Sequence, residues 1–138
     1  MSPIGPDARG ARRLRNLLGL LTRPPPVVGA TPADVVLREN KLELLRYRPR
    51  AGGPAHRTPV LMVPSMINRH YVLDLRPGAS LVEYLVGEGH DVYMIRWGTP
   101  TAEDRHLTFD EVCDGYLGRA LRHAAKRTPR GKIGRAHV

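Results

Sequence analysis

Nucleophilic chemistry needs an activated hydroxyl or thiol, a base to activate it and a group that holds the base. The candidates in these 138 residues are Cys113, Ser65 and the histidines His70, His90 and His106, and their surroundings withhold that pattern. Cys113 lies in Val112-Cys113-Asp114-Gly115, inside a run that reads as helix and without the flanking glycines of a strand-to-helix elbow. A packed or half-exposed helix thiol is the expectation for it. Ser65 follows a proline instead of standing in G-x-S-x-G. No spacing ties the three histidines to a base, so each reads as a surface or structural residue. As the single cysteine, Cys113 also excludes an intramolecular disulfide and a thiolate metal cluster.

The segment that does suggest a site is a loop, residues 64–71, which is polar, irregular and entered directly from an apolar run. That run, residues 59–63, is continuous and not alternating, so it suits a strand covered on both faces, as in a parallel sheet. Upstream, Val35-Val36-Leu37 and Leu42 to Tyr47 flank Glu39-Asn40-Lys41, whose asparagine tolerates the positive φ of a tight turn; a β-hairpin is expected. Downstream, Ser80 and Glu83 form a capping box for a helix from Leu81 to about Glu88, with Gly89 as its stop. Residues 91–97 read as a second buried strand, completing a βαβ unit.

Thr108 and Glu111 then open a second capped helix, from Phe109 to about Lys126. Its core stripe is Val112, Tyr116, Leu117, Ala120 and Leu121. Acidic Asp110 and Glu111 at its start and basic Arg119, Arg122, Lys126 and Arg127 toward its end both suit the helix dipole. In an open sheet of this kind function gathers at the carboxyl ends of the strands, where residues 64–71 lie. One use of that position is the oxyanion hole of an α/β-hydrolase, and the preceding hairpin fits the first two strands of that architecture.

The net charge of +9 is unevenly distributed. Residues 1–58 hold 11 Lys/Arg against 4 Asp/Glu, residues 59–114 hold 4 against 9, and residues 115–138 hold 7 against none. The folded part is therefore acidic and the excess sits in solvated ends, which argues against a nucleic-acid-reading face. No apolar run is long enough for a transmembrane helix, and the leucines near the N-terminus lack a signal-peptide pattern, so a cytoplasmic chain is expected. Residues 1–30 read as a basic arm in which Ala8 to Leu21 forms an amphipathic helix with Leu14, Leu17, Leu18 and Leu21 on one stripe, ended by Pro24-Pro25-Pro26. Residues 129–138 fit nothing before them: their final stretch back-translates to a sequencing-library adapter, and an artefactual tail is expected.

Several motifs in fixed order carry a resemblance: TPADVV (31–36), ENKLELLRY (39–47), PVLMVP (59–64), INR (67–69), YVLDLRPGASL (71–81), GHDVY (89–93), WGTP (97–100) and DRHLTFD (104–110). Over residues 31–127 the chain resembles polyhydroxyalkanoate synthases, most closely the two-subunit, class III kind. The resemblance implies the N-terminal portion of an α/β-hydrolase-type sheet over residues 31–128, made of an antiparallel hairpin, a βαβ unit and a helix. It implies an acyltransferase that polymerises (R)-3-hydroxyacyl-coenzyme A into polyester with release of coenzyme A, which is substrate and not cofactor. A second synthase subunit and the polyester granule surface are the implied partners.

The family's nucleophilic cysteine, in a G-x-C-x-G elbow, and its Asp and His have no counterpart in these residues, so the chain alone is expected to be inactive. What it can supply is the loop half of the oxyanion hole, from the backbone N–H of Met66 or of Ser65, since Pro64 has none. Asn68 and Tyr71 are expected to brace the loop and Asp74 to bond its return. Two other readings remain: an esterase or depolymerase of the same fold, if the elbow carries serine, and a non-catalytic basic protein that binds through its ends.

Overall fold

The computed structural model describes residues 8–21, 27–126 and 134–137. The run Pro24–Pro26 and residues 129–133 and 138 of the tail lie outside them. Helix α1 spans Ala8–Leu21, as the leucine spacing predicts, and leaves Leu17 and Leu18 exposed. The hairpin follows as β1, Ala33–Glu39, and β2, Leu42–Tyr47, paired antiparallel with a bulge between Val35 and Leu37. Asn40 turns the chain at φ 51°, the left-handed conformation that asparagine accepts at little cost.

Strand β3 is Val60–Val63. The chain leaves it through residues 64–69 and a 3₁₀ turn, His70–Leu73. It then forms a ribbon that sequence reading did not anticipate: β4, Asp74–Arg76, and β5, Ala79–Ser80, joined at Pro77-Gly78. Helix α2, Leu81–Gly87, starts where its cap lies, the Ser80 hydroxyl accepting from Glu83 N–H at 3.0 Å. The Glu83 carboxylate reaches past the expected partner and accepts from Gly78 N–H at 2.7 Å, tying the ribbon turn to the helix. Gly89, at φ 87°, ends the helix as expected. Strand β6, Val92–Arg96, closes the βαβ unit by pairing parallel to β3.

The last helix departs from expectation. Its capping box is complete, Thr108 N–H donating to Glu111 Oε2 at 2.8 Å and Glu111 N–H to Thr108 Oγ1 at 3.2 Å. Residues Glu111–Leu117 then follow a π-helix, and the α-helix resumes as α3, Gly118–Ala125. Wider turns satisfy the same backbone groups five residues apart, and Gly115 and Gly118 fall within and just after the widened stretch. Ala120 and Ala124, one turn apart, are fully buried and let α3 approach the sheet closely, flanked by half-buried Tyr116, Leu117 and Leu121.

The main sheet runs β1-β2-β6-β3-β7, where β7, Gly134–His137, lies parallel along the free edge of β3. Its faces explain the continuous apolar runs. Tyr93 and Ile95 of β6 join Leu42, Leu44 and Leu61 under α3, while Val92 and Met94 join Met62, Tyr47, Leu73 and Val82 under α2. Both faces of β6 are covered, so alternate residues cannot be polar. Each of these fully buried side chains contributes roughly 1.5–3 kcal/mol through lost apolar hydration. The architecture is mixed α/β: an antiparallel hairpin, then parallel strands with helical connections.

Candidate functional site at the carboxyl edge of the sheet

Because β3 and β6 are parallel and β2 is antiparallel to β6, three segments converge at one edge of the sheet: the ends of β3 and β6 and the turn entering β2. They enclose a cleft of about 970 Å³. One wall is Arg38 to Glu43, another is Met66 to Tyr71, and the floor is Arg96 to Pro100. A smaller apolar pocket of about 80 Å³ opens beneath Met66, between Trp97 and the π-helical side chains Val112 and Tyr116. The unforeseen widening of the helix thus shapes the space behind the loop.

Residues 64–68 form a tight, hydrogen-bonded turn. The indole N–H of Trp97 donates to Pro64 O at 2.7 Å. Asn68 N–H donates to Ser65 O at 3.2 Å, so Asn68 braces the loop through its backbone. The Ser65 hydroxyl accepts from Ile67 N–H at 3.3 Å, a local turn bond and no sign of a nucleophile. Among the described residues, neither Ser65 N–H nor Met66 N–H has an acceptor. Both lie at the end of β3, and Met66 lines the cleft. Tyr71 lines it as well.

Asp74, 1% exposed, bonds the return of the loop: it accepts from Thr31 N–H at 3.0 Å, Thr31 Oγ1–H at 2.7 Å and Ser80 Oγ–H at 2.6 Å. Its role is structural, and it connects the entry of β1, the loop and the cap of α2. The histidines are dispersed. His70 faces the cleft, His90 stacks on His56 at 4.1 Å before β6 begins, and His106 ends the 3₁₀ turn Ala102–His106. Cys113 is half-buried in the π-helix, outside the cleft lining.

The carboxylates in and beside the cleft, Glu43 and Asp104, are committed. Burial raises the pKa of Glu43, but the hydrogen bond and charge of Arg96 and the charge of Arg38 outweigh it and hold the group below its ordinary value. Asp104 is held well below the carboxylate range by Lys41, by Thr101 N–H and by Asn40. These bonds form a clasp that fastens the hairpin turn to residues 97–104, and Gly98 sits tightly against it. Sequence reading missed the clasp; its trace is the run Trp97-Gly98-Thr99-Pro100-Thr101 with Asp104 three residues on, a capping pattern. Arg69 is the cleft cation whose guanidinium reaches a neutral partner, Thr99 Oγ1, at 3.3 Å.

His70 has its pKa lowered, first by burial and then by the nearby charge of Arg96, against the opposing pull of Asp74. Folding therefore favours the neutral imidazole. Its contribution is complete above the ordinary value of 6.5 and is lost as the pH falls from there through the folded value. Denaturation midpoints are expected to fall on acidification below about pH 6.5, and to fall less in His70→Gln; equal acid sensitivity in the two chains would refute the assignment.

Among the described residues, no group of three or more His, Cys, Asp or Glu side chains could hold a metal ion, and no helix is long and apolar enough to cross a membrane. What the fold presents is a mixed α/β sheet whose parallel strands end in a cleft, with a loop that offers backbone donors. Residues 26–85 match the family described as poly-beta-hydroxybutyrate polymerase (PhaC) N-terminus. The chain is 46% identical over 90 residues to the poly(3-hydroxyalkanoate) polymerase subunit PhaC of Haloferax mediterranei, covering 65% of this chain and 18% of that one. It is 41% identical over 106 residues to the PhaC subunit of Synechocystis, covering 77% and 28%, and 36% identical over 106 residues to that of Cupriavidus necator, covering 77% and 18%. Over these residues the chain is thus similar to the N-terminal region of polyhydroxyalkanoate polymerases, and it spans 18% to 28% of the length of these relatives.

Proposed function

We propose that residues 31–126 are the opening portion of an α/β-hydrolase-type acyltransferase and supply the loop half of its oxyanion hole. The polymer-forming reaction starts from a 3-hydroxyacyl thioester of coenzyme A. A thiolate attacks the thioester carbonyl, the carbonyl oxygen takes up negative charge, and collapse expels the coenzyme A thiolate; the hydroxyl of the growing chain, giving its proton to the base, then attacks the new thioester and expels the enzyme thiolate, which is regenerated. The thiolate, its base and the orienting carboxylate come from residues beyond these 138. The observation that carries the proposal is the pair of N–H groups without acceptors, Ser65 and Met66, at the carboxyl end of β3 beside the cleft. Of the two, Met66 is the better donor, because it lines the cleft. The word subunit in the relatives' names supports a second protein as partner, and the exposed leucines of α1 suit a granule surface.

The test is a chimaera in which residues 27–126 replace the matching part of the Synechocystis relative. Release of coenzyme A from 3-hydroxybutyryl-coenzyme A with polymer formation supports the synthase reading. Release of free hydroxy acid without polymer favours the esterase reading, and no release at all in a soluble chimaera refutes both. Converting the Ser65–Met66 amide to an ester removes one donor and is expected to lower kcat by about 10²–10³-fold, against a smaller loss for Ser65→Pro.

A further inference from the structure

We infer that Trp97 is a positioning residue that aims the oxyanion donors of the loop; the inference deepens the acyltransferase reading and rests on it. A peptide unit is planar and trans, so its C=O and N–H point in opposite directions, and fixing the carbonyl of one unit fixes the direction of its N–H. No cis peptide occurs among the described residues. The Pro64–Ser65 unit has its carbonyl held by the Trp97 indole N–H at 2.7 Å, and the Ser65–Met66 unit has its carbonyl held by Asn68 N–H at 3.2 Å. Both consecutive N–H groups are therefore directed away from the partners of their own carbonyls, and neither is consumed by an acceptor among the described residues.

The two anchors differ in kind. Asn68 N–H is local, three residues along the same turn, and would move with the loop. Trp97 is 33 residues away at the end of β6, so it refers the loop to the sheet. The indole itself is fixed on two sides. Its ring packs against the core under α3, and the next residue, Gly98, is held against the Lys41 carbonyl beside the Lys41–Asp104 clasp. A donor that must sit within a few tenths of an ångström of a developing charge needs such a rigid reference.

Trp97 is the single tryptophan of the chain, which makes the test direct. In ¹⁵N spectra of the 138-residue chain, the one indole N–H is expected to exchange slowly with solvent. Replacing Trp97 with benzothienylalanine, which keeps the bicyclic shape and substitutes sulfur for N–H, is expected to shift or split the Ser65 and Met66 amide signals while those of β2 and α3 stay in place. In the chimaera, the same replacement and Trp97→Phe are expected to lower kcat by about tenfold to a hundredfold with KM within about twofold. Unmoved Ser65 and Met66 signals overturn the inference, as does an unchanged kcat in an active chimaera. If the chimaera is inactive before any substitution, the acyltransferase reading fails, and the spectra of the chain alone still decide whether Trp97 aims the loop.

Discussion

Replacing Asp74 with alanine is expected to lower the unfolding free energy of the chain by about 4 kcal/mol, read as a shift of the urea midpoint at unchanged m-value. The carboxylate is almost fully buried and accepts three hydrogen bonds from two segments, Thr31 and Ser80. Alanine leaves all three donors facing an apolar gap, and an unsatisfied buried donor costs about 1–3 kcal/mol. The loss also spreads, because the Ser80 hydroxyl that donates to Asp74 is the one that accepts Glu83 N–H at the start of α2. The informative comparison is asparagine. Asp74→Asn can keep an oxygen toward Thr31 N–H and turn its NH₂ toward the two hydroxyls, which can rotate to accept. It should therefore cost much less than Asp74→Ala. Equal losses for the two variants would mean that packing, and not hydrogen bonding, is what Asp74 supplies.

The parts of this molecule that could be read in advance are those whose signals are local. Asn40 announces the hairpin turn, Ser80 the start of α2, Gly89 its end, and the unbroken apolar runs announce strands covered on both faces. The position of the loop was legible for the same reason, since it follows directly from the end of β3. What escaped is non-local or degenerate. The π-helix of Glu111–Leu117 presents nearly the same apolar spacing as an α-helix, so periodicity cannot separate them. The β4–β5 ribbon is too short to alternate visibly. The bond from Trp97 to Pro64 and those from Thr31 to Asp74 join residues 33 and 43 apart, and nothing in either segment specifies its partner. The place of the loop at the end of β3 was thus written in the sequence, while the direction of its N–H groups was not.

Gly98→Ala is expected to be as damaging as any single methyl group added to this chain, because two penalties coincide there. Gly98 has φ 78°, a conformation that costs an L-residue roughly 1–2 kcal/mol. A Cβ at this position would also stand 2.5 Å from the backbone oxygen of Lys41 and 3.1 Å from its carbonyl carbon. Neither atom is the end of a flexible side chain, so the hairpin turn or the segment after β6 must move. Gly78 separates the two effects: its φ is 73°, but nothing lies within 4 Å of an added Cβ. Gly78→Ala should therefore carry the conformational penalty alone, and Gly98→Ala should exceed it by about 2 kcal/mol or more in urea unfolding. The displacement has a second readout. Trp97 is the adjacent residue, and drawing its indole away from Pro64 O exposes the ring to water, so its fluorescence should shift to longer wavelength in Gly98→Ala and not in Gly78→Ala. Identical midpoints and identical emission for the two variants would show that the close approach of residues 41 and 98 does not hold the floor of the cleft. A larger loss with the red shift would tie the stability of the hairpin turn to the geometry of the loop at residues 64–68 through a single glycine.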